Sequence, residues 1–142
     1  MTAGGTNLEV VRRWSDTFRD EGYEAAMDLV EEIFDPEVEF SPLLAREIEG
    51  RTYRGHDGLR AFFRELNEML GGVRYEPAEY EPVSDDVIVL FTRIVGTGRG
   101  STVPVGQDLA MVYEFRDGLI RRMTAYGSRQ AALSAAQEAQ HA

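Results

Sequence analysis

The chain contains no cysteine and only two histidines in its 142 residues. Without cysteine there can be no disulfide, no thiolate metal site and no cysteine nucleophile. One of the two histidines lies at the C-terminal tail, so a cluster of histidine metal ligands is not expected. The composition therefore predicts neither a bound metal nor another cofactor.

Basic residues are also scarce, since 15 of them stand against 25 acidic residues, for a formal net charge of −10. Nucleic-acid partners require a basic surface, which this balance disfavours. No apolar run reaches transmembrane length, and the N-terminal MTAGGTNLEV lacks the apolar segment of a signal peptide. We expect a cytoplasmic protein that binds neither nucleic acid nor a membrane.

Length and composition both fit a single folded domain. A chain of 142 residues can bury a core, and its apolar fraction of 43% and charged fraction of 28% are those of an ordinary globular protein. The sequence shows no internal repeat, low-complexity segment or linker. We therefore expect residues 1–142 to form one domain.

The first quarter of the chain carries two helical patterns. A capping box at Thr6 and Glu9 opens the first helix, which Gly22 ends. Apolar residues at spacings of three and four form its inner face, namely Leu8, Val11, Trp14 and Phe18. The second helix begins at Tyr23 and ends before Pro36, because a residue that precedes proline disfavours the helical conformation.

A short strand, a polar segment and a third helix follow. The residues from Val38 to Phe40 alternate as a strand, and the stretch from Leu43 to Arg54 suits a small hairpin near a pocket mouth. The third helix runs from Leu59 to Leu70, and Gly71-Gly72 is expected to cap its C-terminus. A strand is expected from Val73, and Pro77 and Pro82 favour a sheet edge or a bulge there.

Three strand patterns dominate the C-terminal half: VIVLFTRIV, LAMVYEF and LIRRMTAY. Asp117-Gly118, between the last two, supplies the positive φ angles of a tight primed turn. Ser128 can cap a final alanine-rich helix that continues to Ala139. Helices grouped against an antiparallel sheet make an α+β fold.

Strand alternation predicts which side chains form the inner wall of a pocket. On the first two long strands we assign to this wall Val89, Phe91, Arg93, Val95, Leu109, Met111, Tyr113 and Phe115. The helices and the first strand are expected to close the pocket with Trp14, Phe18, Phe40 and Phe63. Arg93 is the only charged residue on this predicted wall.

The runs FDPEVEFSP, YRGHDGLRAFF and FRDGLIRRMTAY resemble the SnoaL-like branch of the nuclear-transport-factor-2-like superfamily. The resemblance covers nearly the whole chain, from about Asn7 to Ala136. It implies a cone-shaped, curved antiparallel sheet wrapped around three helices, with a C-terminal helix, in a cystatin-like α+β barrel. It also implies an apolar pocket and a homodimer. The superfamily includes enzymes and proteins without known activity, so the fold alone does not give the function.

Two enzyme classes of this superfamily, the steroid isomerases and the polyketide cyclases, can be compared with the chain position by position. The resemblance to the steroid isomerases places their tyrosine donor near Trp14, their aspartate base on Phe40 and their protonated aspartate on Met111. Neither phenylalanine nor methionine can transfer a proton, so that mechanism has no base. The polyketide cyclases have a catalytic aspartate at the position of Met111 and are excluded on the same ground.

The epoxide hydrolases of the superfamily use an aspartate, an arginine and a second aspartate to activate water. The resemblance places their arginine on Arg93 and their aspartates on Val95 and Ala125. A lone arginine cannot accept a proton from water, because it stays protonated. The carboxylates of all three enzyme classes are therefore absent.

A buried charge requires a partner, so Arg93 on the predicted wall needs a carboxylate or an anion. One interpretation is that Arg93 binds the carboxylate, enolate or phosphate of an otherwise apolar ligand. The other is a structural ion pair with Glu47 or Glu79, or exposure at the pocket mouth.

The remaining polar candidates are few. Tyr113 would present its hydroxyl to the pocket, either to a ligand or to another core group. Asp108 faces outward by alternation unless a β-bulge turns it inward. His56 is a possible base at the rim, with capping of the third helix as the structural alternative. The catalytic candidates are therefore Arg93, Tyr113, Asp108 and His56. Trp14 could offer its indole N–H to a ligand, with core packing as the structural alternative, and Met111 counts as lining.

The sequence predicts a SnoaL-like protein whose apolar pocket binds a small, mainly hydrophobic molecule with an anionic or carbonyl group. One alternative is an isomerase, cyclase or epoxide-hydrolase-like enzyme with a different catalytic set. A second is a noncatalytic dimeric interaction module. Its outer sheet face would pair through Ala110, Val112, Thr124 and Tyr126.

Overall fold

A computed structural model of the chain describes residues 3–42, 52–76, 79–98 and 104–140. Its helices are α1 (Ala3–Asp20), α2 (Tyr23–Met27), α3 (Val30–Ile33), α4 (Gly55–Met69) and α5 (Arg129–Gln140). Its strands are β1 (Phe34–Ser41), β2 (Tyr53–Arg54), β3 (Leu70–Tyr75), β4 (Glu79–Pro82), β5 (Val87–Gly98), β6 (Pro104–Arg116) and β7 (Leu119–Tyr126). Glu47, Pro77 and most of the predicted hairpin at 43–54 lie outside the described residues.

The helices differ from their predictions in three places. Helix α1 begins at Ala3, before the predicted cap at Thr6, and the buried Asn7 holds its first turns by donating from Nδ2 to the Asp85 carbonyl at 2.7 Å. The second pattern forms two short helices, because the chain turns at residues 28–29 and is already extended at Phe34. Gly71 and Gly72 continue strand β3 rather than capping α4.

The seven strands form one curved sheet in the order β2-β1-β7-β6-β5-β3, and β4 pairs with β5 beside this path. The predicted α+β fold with a curved sheet is confirmed, and the sheet is open rather than closed into a barrel. It is also mixed, because β1 runs parallel to β7 while the other pairs are antiparallel. Pro82 lies on the edge strand β4, as its missing N–H requires.

The turn between β6 and β7 confirms the primed-turn prediction. Asp117 and Gly118 have φ angles of 54° and 82°, and Arg116 pairs with Leu119 across the two-residue loop. Both positive angles match the right-handed twist of the flanking strands. This turn fixes how β7 lies against β6.

The pairing of β5 with β6 corrects the predicted inner wall. Ile88 pairs with Tyr113 and Leu90 with Met111, and side chains of paired residues point to the same face. The even-numbered residues of β5 therefore join the odd-numbered residues of β6 on the inner face. Val89, Phe91, Arg93 and Val95, which the sequence analysis placed on the inner wall, belong to the opposite face.

The two sheet faces are covered by different helices. Helices α1 to α4 pack on the inner face, and their buried side chains share one core with β1 and the inner residues of β5, β6 and β7. Helix α5 packs on the outer face with Ala132 and Ala136. Among the described residues, no helix is long and apolar enough to cross a membrane.

Candidate functional site

Aromatic rings fill the inside of the cone. Trp14 on α1 is fully buried, and its ring meets Phe18 at 5.3 Å, Phe34 at 4.8 Å and Phe63 at 5.7 Å between centroids, mostly edge to face. Phe40 on β1 stacks with Phe63 at 5.8 Å. The predictions that Trp14, Phe18, Phe40 and Phe63 reach the interior are confirmed in placement, and their role towards a ligand stays a prediction.

Met111 and Tyr113 complete this interior from strand β6. Both are buried in the same core as Trp14, in agreement with the predicted inward face of β6. Ala125 on β7 pairs with Met111 and is buried there as well. This interior is therefore aromatic and aliphatic, and it contains the polar atoms of Trp14 and Tyr113.

The indole nitrogen of Trp14 is a buried donor in this interior. Trp14 Nε1 is buried and has no hydrogen-bond partner among the described residues. An N–H that loses water without gaining an acceptor costs about 1–3 kcal/mol. The interior thus holds a donor directed into an apolar, aromatic environment.

Ionisable groups are rare in the buried part of the described chain. Among the described residues, Asp35 is the only buried charged residue. The other buried polar residues are Asn7, Ser15 and Thr92. The Glu37 backbone N–H donates to Asp35 Oδ1 at 2.8 Å, and Arg116 pairs with Oδ2 at 3.1 Å. These contacts hold the pKa of Asp35 below its usual value, with the backbone bond as the larger cause. The lowered pKa makes Asp35 a weak proton acceptor, and both of its oxygens are engaged in contacts within the fold.

Arg93 lies on the outer face, so its predicted place on the inner wall is wrong. Its Nη1 binds Asp108 Oδ1 at 2.8 Å, its Nε lies 3.8 Å from Glu76 Oε1, and its side chain is 47% exposed. The guanidinium lies over Gly106, where an added Cβ would come within 2.8 Å of Nε. Arg93 therefore belongs to a surface ion-pair group and leaves the interior without a cation from β5.

Of the two other catalytic candidates, Asp108 lies on the outer face and the half-buried His56 binds a backbone carbonyl. Asp108 faces outward as predicted, and its side chain is 83% exposed. The His56 ring nitrogen Nε2 lies 2.8 Å from the Phe34 carbonyl, so the ring ties the start of α4 to the start of β1. The comparison with the epoxide hydrolases requires Arg93 and Ala125 to face the same interior. In the structure these two residues lie on opposite faces of the sheet.

An open groove of about 760 Å³ lies on the outer face. Its lining residues are Glu76, Glu79, Phe91, Thr92, Arg93, Asp108, Leu109, Ala110, Gly127, Ser128 and Arg129. Arg129 pairs with both oxygens of Glu79, at 2.9 and 3.1 Å, and its guanidinium carbon lies 4.2 Å from the centre of the Phe91 ring. Glu79 is thus paired with Arg129 rather than with Arg93.

A charged cluster on β1 and β7 has no counterpart among the predictions from sequence. Glu39 binds Arg54, accepts from Arg122 Nη2 at 3.1 Å and lies 3.6 Å from Arg121 Nη1. Neighbouring residues on a regular strand point to opposite faces, but Arg121 and Arg122 reach the same carboxylate oxygen. A register shift between β6 and β7 next to Glu114 permits this, and strand periodicity gives no signal of it.

Comparison with known proteins gives a family and a fold. The family model described as SnoaL-like domain matches residues 11–123. No curated protein matches the sequence at a significant level.

Solved structures resemble the chain over most of its length. TerC, co-crystallised with polyporic acid, is 24% identical with a TM-score of 0.69, over 93% of this chain and 98% of TerC. A nuclear-transport-factor-2-like protein of unknown function from Burkholderia pseudomallei is 18% identical with a TM-score of 0.72, over 91% and 95% of the two chains. Bal32a, from a soil-derived mobile gene cassette, is 19% identical with a TM-score of 0.74, over 93% of this chain and 96% of Bal32a. These similarities concern the fold.

Proposed function

The chain belongs to the SnoaL-like domain family, and on that premise we propose that it binds a small, mainly hydrophobic molecule inside the cone. The observation that carries the proposal is the buried Trp14 Nε1, which finds no acceptor among the described residues. A ligand carbonyl, hydroxyl or carboxylate oxygen would supply that acceptor. The group that hydrogen-bonds the ligand in this proposal is the Trp14 indole N–H rather than the Arg93 guanidinium.

The lining supports an apolar ligand with a flat part. Trp14, Phe18, Phe40 and Phe63 contact one another through ring edges and faces, geometries that a further ring can join. Met111 is buried in the same core and has an unbranched, adaptable side chain. The rings must move apart to admit a ligand, so binding is expected to involve repacking of this cluster.

The same residues favour binding over catalysis. In the described part of the chain, Asp35 is the only buried carboxylate, and it is ionised and paired with Arg116. Phe40 and Met111, buried in the interior, stand where the steroid isomerases need carboxylates. An enzyme with a different catalytic set would have to obtain its base from elsewhere, and no described contact favours this alternative.

The first test is a ligand screen by thermal shift, with apolar ketones, apolar carboxylic acids and polyporic acid as probes. Polyporic acid is included because TerC was co-crystallised with it. Trp14→Phe removes the N–H and keeps an aromatic ring, so it should weaken a hit about tenfold, the value of one hydrogen bond. Arg93→Met is the matched control on the outer face and should leave binding unchanged.

The proposal fails if the two variants behave in the opposite way. Loss of binding in Arg93→Met with normal binding in Trp14→Phe would move the ligand to the outer groove. Equal binding by both variants and the wild type would show that Trp14 Nε1 takes no part.

A further inference from the structure

The aromatic rings of the interior continue to the surface at one edge of the sheet. Trp14 contacts Phe63 at 5.7 Å between ring centroids, and Phe63 contacts Phe62 at 5.2 Å. Phe62 in turn meets the Tyr53 ring at 5.2 Å. Trp14 and Phe63 are buried, whereas Phe62 and Tyr53 are half-buried. The ring contacts therefore lead from the proposed ligand donor to the protein surface.

A second buried ring joins the half-buried pair to the same interior. Phe40 on β1 meets Phe62 edge to face, with centroids 4.8 Å apart and ring planes at 87°. Phe40 is also the register partner of Tyr53, so both side chains lie on the inner face of the sheet. Phe62 contacts both Phe40 and Phe63, and it is therefore the half-buried ring that covers the two buried ones.

The strand that carries Tyr53 is the shortest of the described strands. Strand β2 consists of Tyr53 and Arg54, lies at the end of the sheet and pairs with β1 at two positions. The Tyr53 hydroxyl donates to Glu65 Oε2 at 3.5 Å, which is long for a hydrogen bond. Short edge elements with exposed contacts open at a lower free energy than the central strands of a sheet.

The helices on the other side of the interior are connected by ion pairs. Arg60 on α4 pairs with Glu31 on α3 at 3.1 Å, and Arg13 on α1 pairs with Glu32 on α3 at 2.7 Å. Separation of α3 from its neighbours would break both pairs and expose the fully buried Val30. Rotation of two half-buried rings keeps these contacts, so it is the less costly way to open the interior.

We infer that Phe62 and Tyr53 form the entrance to the interior site, so that a ligand reaches Trp14 when these two rings turn outward. This inference rests on the proposed ligand site, whose rings must move apart to admit a molecule. A ligand crosses the same barrier when it enters and when it leaves. A lower barrier therefore raises the association and dissociation rates by the same factor and leaves the dissociation constant nearly unchanged.

Stopped-flow fluorescence of the single tryptophan measures these rates in the full-length protein. The probes are 2-acetonaphthone, 2-naphthoic acid and polyporic acid, which represent the three classes of the ligand screen. Phe62→Leu and Tyr53→Leu each remove ring contacts at the entrance. Each should raise both rates about tenfold and keep the dissociation constant within about twofold of the wild-type value. Tyr80→Leu is the matched control, because this half-buried ring packs against the same core from β4, and it should leave both rates unchanged.

The possible results separate the entrance from the ligand site itself. Unchanged rates in both entrance variants would overturn the entrance and leave the ligand site intact. Faster dissociation with an unchanged association rate would show that the two rings are binding contacts, which also overturns it. Equal acceleration in Tyr80→Leu would indicate a general loosening of the fold instead of a defined entrance. If no probe gives a saturable change in the wild type, the ligand site is wrong and the entrance is wrong with it.

Discussion

Leu90 pairs with Met111 across strands β5 and β6, and both side chains are fully buried on the inner face of the sheet. Arg93, three residues further along β5, points to the other face and pairs with Asp108. This relationship separates an aromatic interior from a charged outer surface. Because Arg93 lies outside, the polar contact of the proposed ligand site is the indole N–H of Trp14.

Leu90→Ala should destabilise the fold strongly. A fully buried leucine replaced by alanine leaves a cavity in the inner core and costs about 2–5 kcal/mol. Arg93→Met removes only an exposed ion pair and should change the free energy of unfolding by less than about 1 kcal/mol. Urea unfolding of both variants measures the difference, and a larger loss in Arg93→Met would contradict the assignment of faces.

Glu39 should contribute to stability at neutral pH and lose that contribution in acid. Burial raises its pKa, but the hydrogen bond from Arg122 and the charges of Arg122, Arg54 and Arg121 outweigh burial and lower the pKa below 4.5. A carboxylate with a lowered folded-state pKa stabilises the protein above its unfolded-state pKa. The contribution is lost as the pH falls from about 4.5 through the lower folded-state value.

Glu39→Gln checks this pH dependence. At pH 7 it should reduce the free energy of unfolding by about 1–2 kcal/mol, and the difference from the wild type should shrink below about pH 4.5. Glu21→Gln, at an exposed position after α1, is the control and should change little. A constant difference between Glu39→Gln and the wild type from pH 3 to pH 7 would contradict a role for the ionised carboxylate.

Gly118→Ala should cost about 1–2 kcal/mol through the backbone alone. Gly118 has a φ of 82°, and apart from its chain neighbours no atom lies within 4 Å of the place that an alanine Cβ would take, so contact with the rest of the fold adds nothing. Gly106→Ala is the contrasting variant, because its Cβ would displace only the end of the Arg93 side chain. Thermal unfolding should therefore show the larger loss at Gly118. Similar losses would contradict the turn assignment.

The sequence was sufficient for features that depend on local chemistry. The apolar face of α1 with Trp14 and Phe18, the turn at Asp117-Gly118 and the cap at Ser128 all follow from spacing or from residue type at one position. The interior placement of Met111 and Tyr113 follows from alternation along a regular strand. In these cases residues close in sequence determine the local structure.

Features that depend on the pairing of distant residues could not be predicted in the same way. The inward face of β5 depends on its register with β6, and a change of one residue in that register reverses every side chain. The register shift beside Arg121 and the packing of α5 on the outer face are likewise set by tertiary contacts. The wrong prediction for Arg93 follows from this. Strand β5 has apolar residues at both odd and even positions, so its sequence alone does not show which set faces inward.

The most direct test of the proposed ligand site uses the single tryptophan of the chain. In a ¹H–¹⁵N spectrum of the labelled protein, Trp14 gives the only indole N–H resonance, so this signal reports on the interior without assignment. Titration with a hit from the ligand screen should move the resonance downfield as its N–H gains an acceptor, with the same midpoint in the wild type and in Arg93→Met. A resonance that stays in place while the ligand saturates the protein would contradict the account.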